Sequence, residues 1–306
     1  MNLTAPHFHD KDKAREYLEG IRWPDGPFCP HCGSTRPPMQ LKGKSSRPGL
    51  YKCSEYRCRK QFTVTVGTVF ERSKVPLNKW LMAVQLMCSS KKGVSAHQLH
   101  RTLGVTYKTA WFMAHRIREA MREEKGLLGW GGGTVEADET YWGRKKGRKV
   151  KSGYKHHKIA IVSLVERGGR VQSQHVPAVN ADTLRPILKE QIAKGAKVYT
   201  DDARYYAKLR KEGHTHESVN HSIDEYVRGN VHTNTVESYY SVLKRGLNGT
   251  YQHVSEDHLK RYVCEFDFRY NYRSALGFED TERADMCLKG IEGKRLTYRR
   301  PNQTSR

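Results

Sequence analysis

At 306 residues the chain is longer than one hydrophobic core usually requires, so two or three domains are expected. Lys and Arg number 55 against 32 Asp and Glu, and the resulting formal charge of +23 implies a polyanionic partner, with nucleic acid the default. No window holds the ~18 apolar residues that would span a bilayer, the N-terminus lacks a signal-peptide core, and seven cysteines make an odd count, so a membrane protein and a disulfide-stapled secreted protein are both disfavoured and a cytoplasmic location is expected.

In chain order, Ala14, Tyr17, Leu18 and Ile21 recur at helical spacing, and Pro24, Gly26 and Pro27 end that N-terminal segment (1–27). Residues 28–72 then carry Cys29-Pro-His-Cys32 and Cys53-Ser-Glu-Tyr-Arg-Cys58, with twenty residues between the pairs and a β-like run at 61–66. Two close cysteine pairs on two turns set four thiolates around one Zn²⁺, which reads as a zinc ribbon; His31, inside the first knuckle, reads as a bystander. A site closed by four thiolates is structural and leaves no position for a substrate.

Residues 73–125 read as helical. Ser95 is placed to cap a short helix ending at Gly104, and Thr106 to cap the next, which carries Trp111, Met113, Ile117 and Met121. Two helices around a glycine-containing turn form a helix-turn-helix-like unit, with Tyr107, Lys108, Arg116 and Arg118 as candidate DNA contacts; an ordinary bundle between domains is the plainer alternative. Gly126 to Gly133 (126–133) reads as a linker.

From 134 to 287 strands alternate with helices: strands at 134–142, 158–167, 170–177 and 197–201, a hairpin turn at Gly168-Gly169, a helix from Asp182 with Asp182 as its cap, and helices at 234–247 and 256–273. The tail, 288–306, is basic and expected to be loose. Asp138 lies in the first of these strands and Asp201 closes the fourth. Glu237 lies in a helix, 35 residues intervening after Asp201. Strand alternation sets Glu136, Asp138 and Thr140 on one face, and Glu139 stands in reserve; Asp201, at a strand end, is preferred over Asp202. On the helix, Val236, Tyr240, Leu243 and Leu247 form an apolar stripe, while Asn234, Glu237, Ser241 and Lys244 form a polar one. Two aspartates on strands and a glutamate on a helix fit one site for a hard cation such as Mg²⁺, and phosphodiester chemistry on nucleic acid commonly uses two such ions. Lys244, two turns beyond Glu237, is placed to hold a phosphate, with Arg245 beside it. The loop after the first strand is rich in cations, among them Arg144, Lys145, Lys146, Arg148 and Lys149, and suits a DNA backbone.

The whole series resembles bacterial insertion-sequence transposases that join a zinc ribbon to a DDE catalytic domain. The resemblance covers roughly residues 10–280. It rests on Trp23-Pro-Asp-Gly26 with the first cysteine pair, Gly67-Thr-Val-Phe70, Val135 to Gly143, Thr200-Asp201, His232-Thr-Asn-Thr-Val-Glu237, Lys244-Arg-Gly246 and Glu265 to Asn271. It implies a ribonuclease-H-like α/β core with a mixed central sheet flanked by helices, dependence on Mg²⁺ or Mn²⁺, and binding to terminal inverted repeats and target DNA. Asp138 and Asp201 map onto its first two acids; for the third, Glu237 is preferred, with Asn234 as a second or alternative ligand. Because two ends must be held together, a homodimer or larger assembly on double-stranded DNA is expected, nucleoid-associated and away from membranes. Two other functions fit the same residues: a non-catalytic zinc-ribbon regulator, and a ribonuclease-H-like nuclease without strand transfer.

Overall fold

The computed structural model describes residues 3–43, 45–145, 158–201, 206, 213–219, 225 and 227–297. The chain divides into two compact units, Met1–Arg122 with Glu279–Arg306, and Glu123–Phe278.

The first unit opens with α1 (Lys11–Arg22), capped by Asp10, whose side chain accepts from the amides of Asp12 and Lys13. Its buried Ala14 and Leu18 lie on one face, and its last residue, Arg22, donates to the carbonyls of Val64 and Val66 at 2.6 and 2.8 Å. The ribbon is a three-stranded antiparallel sheet of two-residue strands, β1 (Met39–Gln40), β2 (Tyr51–Lys52) and β3 (Gln61–Phe62). The β-like run at 61–66 is therefore strand only at its start and turns after Phe62. Trp23 packs edge-on against Tyr51 and Phe62, so three aromatic rings form most of a very small core. Three helices follow: α2 (Leu77–Ser89), α3 (Ala96–Leu103) and α4 (Tyr107–Ala120). Ser95 and Thr106 cap the last two as expected, accepting from Gln98 N and Thr109 N. Gly104 ends α3 at φ +58°, a left-handed position that disfavours any residue with a Cβ.

A helix the sequence reading did not separate, α8 (Asp280–Lys289), packs on α1, α2 and α4 in this first unit. The boundary expected at 287 thus falls inside α8. The tail after it is not loose through residue 294. Val69 N donates to Ile291 O and Gly293 N to Gly67 O, Arg22 pairs with Glu292 at 3.0 Å, and Lys294 donates to Ala120 O.

The second unit is built on a five-stranded sheet of order β6-β5-β4-β7-β8, with β4 (Thr134–Trp142), β5 (Ile159–Glu166), β6 (Val171–Val176), β7 (Lys197–Asp201) and β8 (Thr215–Val219). Strands β4-β5-β6 pair antiparallel, and β4-β7-β8 pair parallel. Only β5 runs against the rest, which is the mixed, ribonuclease-H-like sheet. One face packs on α5 (Ala181–Gln191), through Val135, Ala137, Leu184 and Leu188. The other packs on α6 (Asn234–Gly246) and α7 (Glu256–Asn271), through Ile159, Ile161, Val236, Leu243 and Phe266. Because both faces are covered, β5 is buried almost continuously and does not alternate in exposure.

Two local expectations change here. Asn180, one residue before α5 begins, accepts from Thr183 N at 2.9 Å and is the cap; Asp182 sits in the first turn. The glycine stretch is anchored in the second unit's core at Leu128 and Gly129, while Gly126, Leu127 and Trp130 to Gly132 are exposed. Leu128 is buried and bridges Ile192, and Gly129 N donates to Glu166 Oε1 at 2.9 Å. A Cβ on Gly129 would come within 2.7 Å of the Ala196 Cβ, at φ +78°, so glycine is required for contact rather than for slack. The outer edge of β6 is closed by α7: Asp267 accepts from Ser173 N, and Asn271 pairs with both N and O of Val171. Side chains one turn apart thus stand in for a sixth strand and leave no open edge there. No helix among the described residues is long and apolar enough to cross a membrane.

Candidate active site and zinc centre

In the ribbon the four sulfurs of Cys29, Cys32, Cys53 and Cys58 lie within 4.8 Å of one another. Cys29 and Cys58 are 3.8 Å apart, and Cys32 and Cys53 3.7 Å. A tetrahedron with Zn–S bonds of about 2.3 Å has edges of about 3.8 Å, so the cluster already has the dimensions of a structural zinc site. Gly33, at φ +73°, turns the first knuckle and donates to Cys29 O; Arg59, at φ +51°, turns the second. His31 faces outward to Gln61 O and is not among the ligands.

The acids of the second unit are brought together by strand register. β4 and β7 pair in parallel with Val135 opposite Val198 and Glu136 opposite Tyr199. The pairing stops there; Asp138 and Asp201 each lie two residues beyond it, on the face of Glu136 and Tyr199, with Asp201 closing β7. In open sheets of this kind ligands gather at the carboxyl ends of parallel strands. Helix α6 then lies over that face. Its apolar stripe, Val236, Tyr240, Leu243 and Leu247, is buried as expected, and Asn234, Glu237, Ser241 and Lys244 are exposed. Tyr240 Oη donates to the carbonyl of Asp138 at 2.6 Å, which fixes α6 on β4 where the first acid stands.

The electrostatics record this proximity. The Asp138 carboxyl is pushed up from 3.8 to about 8, first by burial and then by the negative charges of Glu139, Asp201 and Glu237. Among the described residues the cysteine quartet is the cluster compact enough to close on an ion, and these acids are more open; oxygens of like charge facing one half-buried place are nonetheless donors suited to a hard divalent cation, which would relieve both effects. Glu139 belongs to the opposite face, where Tyr206 Oη donates to it at 3.2 Å, and reaches the site through its charge. Thr233 Oγ1 donates to Glu237 Oε1 at 3.3 Å, holding that carboxylate at the first turn of α6.

The candidate DNA contacts divide. Tyr107 and Lys108, at the start of α4, are exposed, and the Tyr107 ring stacks on His97. Arg116 and Arg118 are only 7% and 2% exposed, so neither presents a surface to DNA. Arg116 instead donates to the carbonyls of Glu71 and Leu296 and lies 5.2 Å from the centre of the Phe112 ring. Helical spacing alone does not distinguish an arginine that crosses an interior from one that faces water. Arg144 is exposed, Lys145 reaches Pro177 O, and Lys146, Arg148 and Lys149 lie outside the described residues. Lys244 and Arg245 are exposed, the latter folded back on Ser241 O.

Two groups escaped the sequence reading. Tyr56, 84% exposed, stands with exposed Arg57, Arg59 and Lys60 on the second zinc knuckle. Glu136 and Arg167 form a 2.6 Å ion pair under α6, with Glu136 fully buried. A glutamate flanked by Val135 and Ala137, near the start of the strand, was the available signal.

Comparison with known proteins agrees with this architecture. Residues 9–61 match a transposase zinc-ribbon domain, and residues 131–271 match an ISXO2-like transposase domain. An uncharacterised protein in transposable element ISH50 of Halobacterium salinarum is 32% identical over 281 residues, covering 86% of this chain and 91% of that protein. An uncharacterised transposase-like protein of Haemophilus influenzae is 28% identical over 102 residues, 33% of this chain and 81% of its own. Among solved structures, a Mos1 transposase paired-end complex with left transposon end aligns over 69% of this chain and 74% of that chain, at 12% identity and TM-score 0.28. A simian T-cell lymphotropic virus intasome aligns over 56% of this chain and 63% of its own, at 13% identity and TM-score 0.28. Scores that low carry no argument. The two domain matches and the near full-length relative do: the chain belongs to the family of ISXO2-like transposases with an N-terminal zinc ribbon.

Proposed function

We propose that this protein cuts DNA at the ends of its own element and joins the freed 3′-hydroxyl to a target, with Asp138, Asp201 and Glu237 holding Mg²⁺ or Mn²⁺. The observation that carries this reading is that Asp138 and Asp201, on neighbouring strands, and Glu237, on the helix over them, face one half-buried place, where burial first and then the charges of Glu139, Asp201 and Glu237 lift Asp138 to about 8. A divalent pair held by these acids would supply an activated hydroxyl nucleophile and charge neutralisation at the leaving oxygen of an in-line displacement. The chain's own residues do the rest. Asp138 and Asp201 would offer their carboxylate oxygens from strands that pair in parallel just before them. Glu237 brings a third carboxylate from α6, with Asn234 one turn before it as a second or alternative donor. Lys244, exposed two turns further on, suits a phosphate of the bound strand.

The DNA-binding half of the reading rests on the first unit. Its ribbon (28–72) and helical region (73–125) are assigned to the terminal inverted repeats, through Tyr107 and Lys108 on α4 and through Tyr56, Arg57, Arg59 and Lys60 on the knuckle. Arg144, Lys145, Lys146, Arg148, Lys149 and Arg245 are assigned to the DNA backbone near the catalytic unit. Two ends held together call for a homodimer or larger assembly on DNA.

The direct test is cleavage of a labelled duplex carrying one element end in Mn²⁺. Asp138→Ala and Asp201→Ala should lose the nick while retaining a gel shift. Nicking that survives both substitutions would remove the assignment, and loss of the gel shift as well would make the variants uninformative about catalysis and point to a folding role.

A further inference from the structure

The catalytic reading leaves unexplained why a fully buried glutamate, Glu136, stands two residues before Asp138 on the same face of β4. A carboxylate removed from water is costly unless its oxygens are satisfied. Here they are: Glu136 accepts from Thr235 N at 2.8 Å, Val236 N at 3.0 Å, Thr235 Oγ1 at 2.8 Å and Arg167 Nε at 2.6 Å. The first two donors are amides in the opening turn of α6, where the helix dipole also favours an anion. Glu136 is thus the missing cap of α6, whose preceding residue, Thr233, makes no capping bond.

Arg167 extends the contact. It follows β5 and donates to Asn230 O at 2.7 Å and to His232 O at 2.9 Å, and its guanidinium lies 4.8 Å from the centre of the Tyr199 ring on β7. Its Nη2 is also 2.9 Å from His232 Nδ1, which receives Asn234 N at 3.3 Å; two donors on Nδ1 place the ring proton on Nε2. One carboxylate and one guanidinium therefore tie β4, β7, the end of β5, the segment before α6 and the first turn of α6. Tyr240 Oη on Asp138 O is the second fixed point of that helix. Glu237 lies between the two points, so its rotation about the helix axis is determined from both sides.

We propose that Glu136 and Arg167 are positioning residues that hold Glu237 and Asp201 in register with Asp138 for divalent-cation binding. This rests on the reading of those three acids as the cation site. Neither residue reaches the cation; they act through the carboxylates that do. Partners of this kind that orient metal ligands typically change affinity about 10- to 100-fold when altered.

The test is Mn²⁺ binding to the intact, zinc-loaded protein, followed by titration calorimetry, beside the thermal melt of the Mn²⁺-free protein. Mn²⁺ prefers oxygen donors, so the four-thiolate site does not compete for it. Glu136→Gln keeps the shape and removes the charge, and Arg167→Lys keeps the charge and removes the fork. Both are expected to weaken Mn²⁺ about 10- to 100-fold while the folded protein still binds end DNA. Should Glu136→Gln fail to fold, Arg167→Lys alone decides. A lowered melt with Mn²⁺ affinity within twofold of the parent would reduce the pair to simple structure and overturn the inference. Asp138→Ala separates the two levels. If it abolishes Mn²⁺ binding while the latch variants do not weaken it, the latch fails and the cation site stands. If it leaves Mn²⁺ binding intact, the site reading fails and takes the latch with it.

Discussion

Thirty consecutive residues, 29–58, supply the four thiols of the zinc centre, whereas the three carboxyls of the proposed catalytic site are spread over one hundred, 138–237. The zinc centre is made by two tight knuckles whose spacing brings the sulfurs within 4.8 Å wherever the rest of the chain goes. The proposed carboxylate site exists only once β4, β7 and α6 have packed, and its burial and neighbouring charges disfavour an ionised Asp138. One site would stabilise its unit by holding metal; the other, on the proposed reading, holds a carboxyl in an unfavourable place that a metal would relieve. The difference teaches where each is vulnerable: the first to loss of a ligand, the second to loss of register.

The largest expected effect follows from removing zinc. A structural zinc contributes on the order of 10 kcal/mol or more to a small module, and the ribbon's own core is little more than Trp23, Tyr51 and Phe62. Cys53→Ser or strong chelation should therefore erase amide protection in residues 28–66 and leave it in β4 to β8, read by hydrogen exchange. Protection lost equally in both would break the contrast.

Next comes loss of a strand aspartate. Asp201→Ala should reduce end cleavage by about 10³-fold, the equivalent of ~4 kcal/mol of charge stabilisation, measured in single turnover. Glu237→Ala should be more damaging than Asn234→Ala. The reverse order would move the third ligand one turn back along α6.

The burial of Asp138, with the like charges around it, gives a pH signature. The Asp138 carboxyl sits near 8 in the folded, metal-free protein and near 3.8 when free, so between these values the folded state keeps a proton that the unfolded state has lost. Its contribution to stability is complete below about pH 4 and is lost as pH rises toward 8. The metal-free melting temperature should fall across that window, and Asp138→Asn should flatten the fall. Over the same range Mn²⁺ affinity should rise with pH, because binding displaces that proton. A melt whose pH dependence is unchanged in Asp138→Asn would show that the three acids do not crowd.

The two sites also differ in how legible they were. The cysteine quartet, the caps Ser95 and Thr106, and the bounds of β4 and β7 could be read directly, since each depends on neighbours a few residues away. Asp138, Asp201 and Glu237 could be proposed from local context, but their proximity rests on a parallel register between strands about sixty residues apart. β8 and α8 passed unread: β8 is a five-residue polar strand, and α8 has few apolar positions to set a period. Arg116 and Arg118 were misread because charge predicts exposure only on average, and a guanidinium is long enough to reach carbonyls across an interior. Glu136 was grouped with its polar neighbours, because nothing local reveals that the first turn of a helix ninety-nine residues later will close over it.

The smallest effects lie on the surface of the first unit. Arg59→Ala and Lys60→Ala on the knuckle should each flatten the slope of log K for end DNA against log salt by about 0.9 if each contacts a phosphate. Arg118→Ala should not change that slope, since its side chain is buried. Equal slopes for all three would return the knuckle to a purely structural role.

The central claim, that the carboxylate site performs both cleavage and joining, is tested most directly by strand transfer. Zinc-loaded protein, Mg²⁺, labelled duplexes carrying the element's own ends and a target plasmid would be incubated beside the Asp201→Ala control. The account predicts label covalently joined to the plasmid by the parent protein and none by the control. Joined product of equal yield in the control would contradict it, and cut ends without joining would restrict the site to hydrolysis.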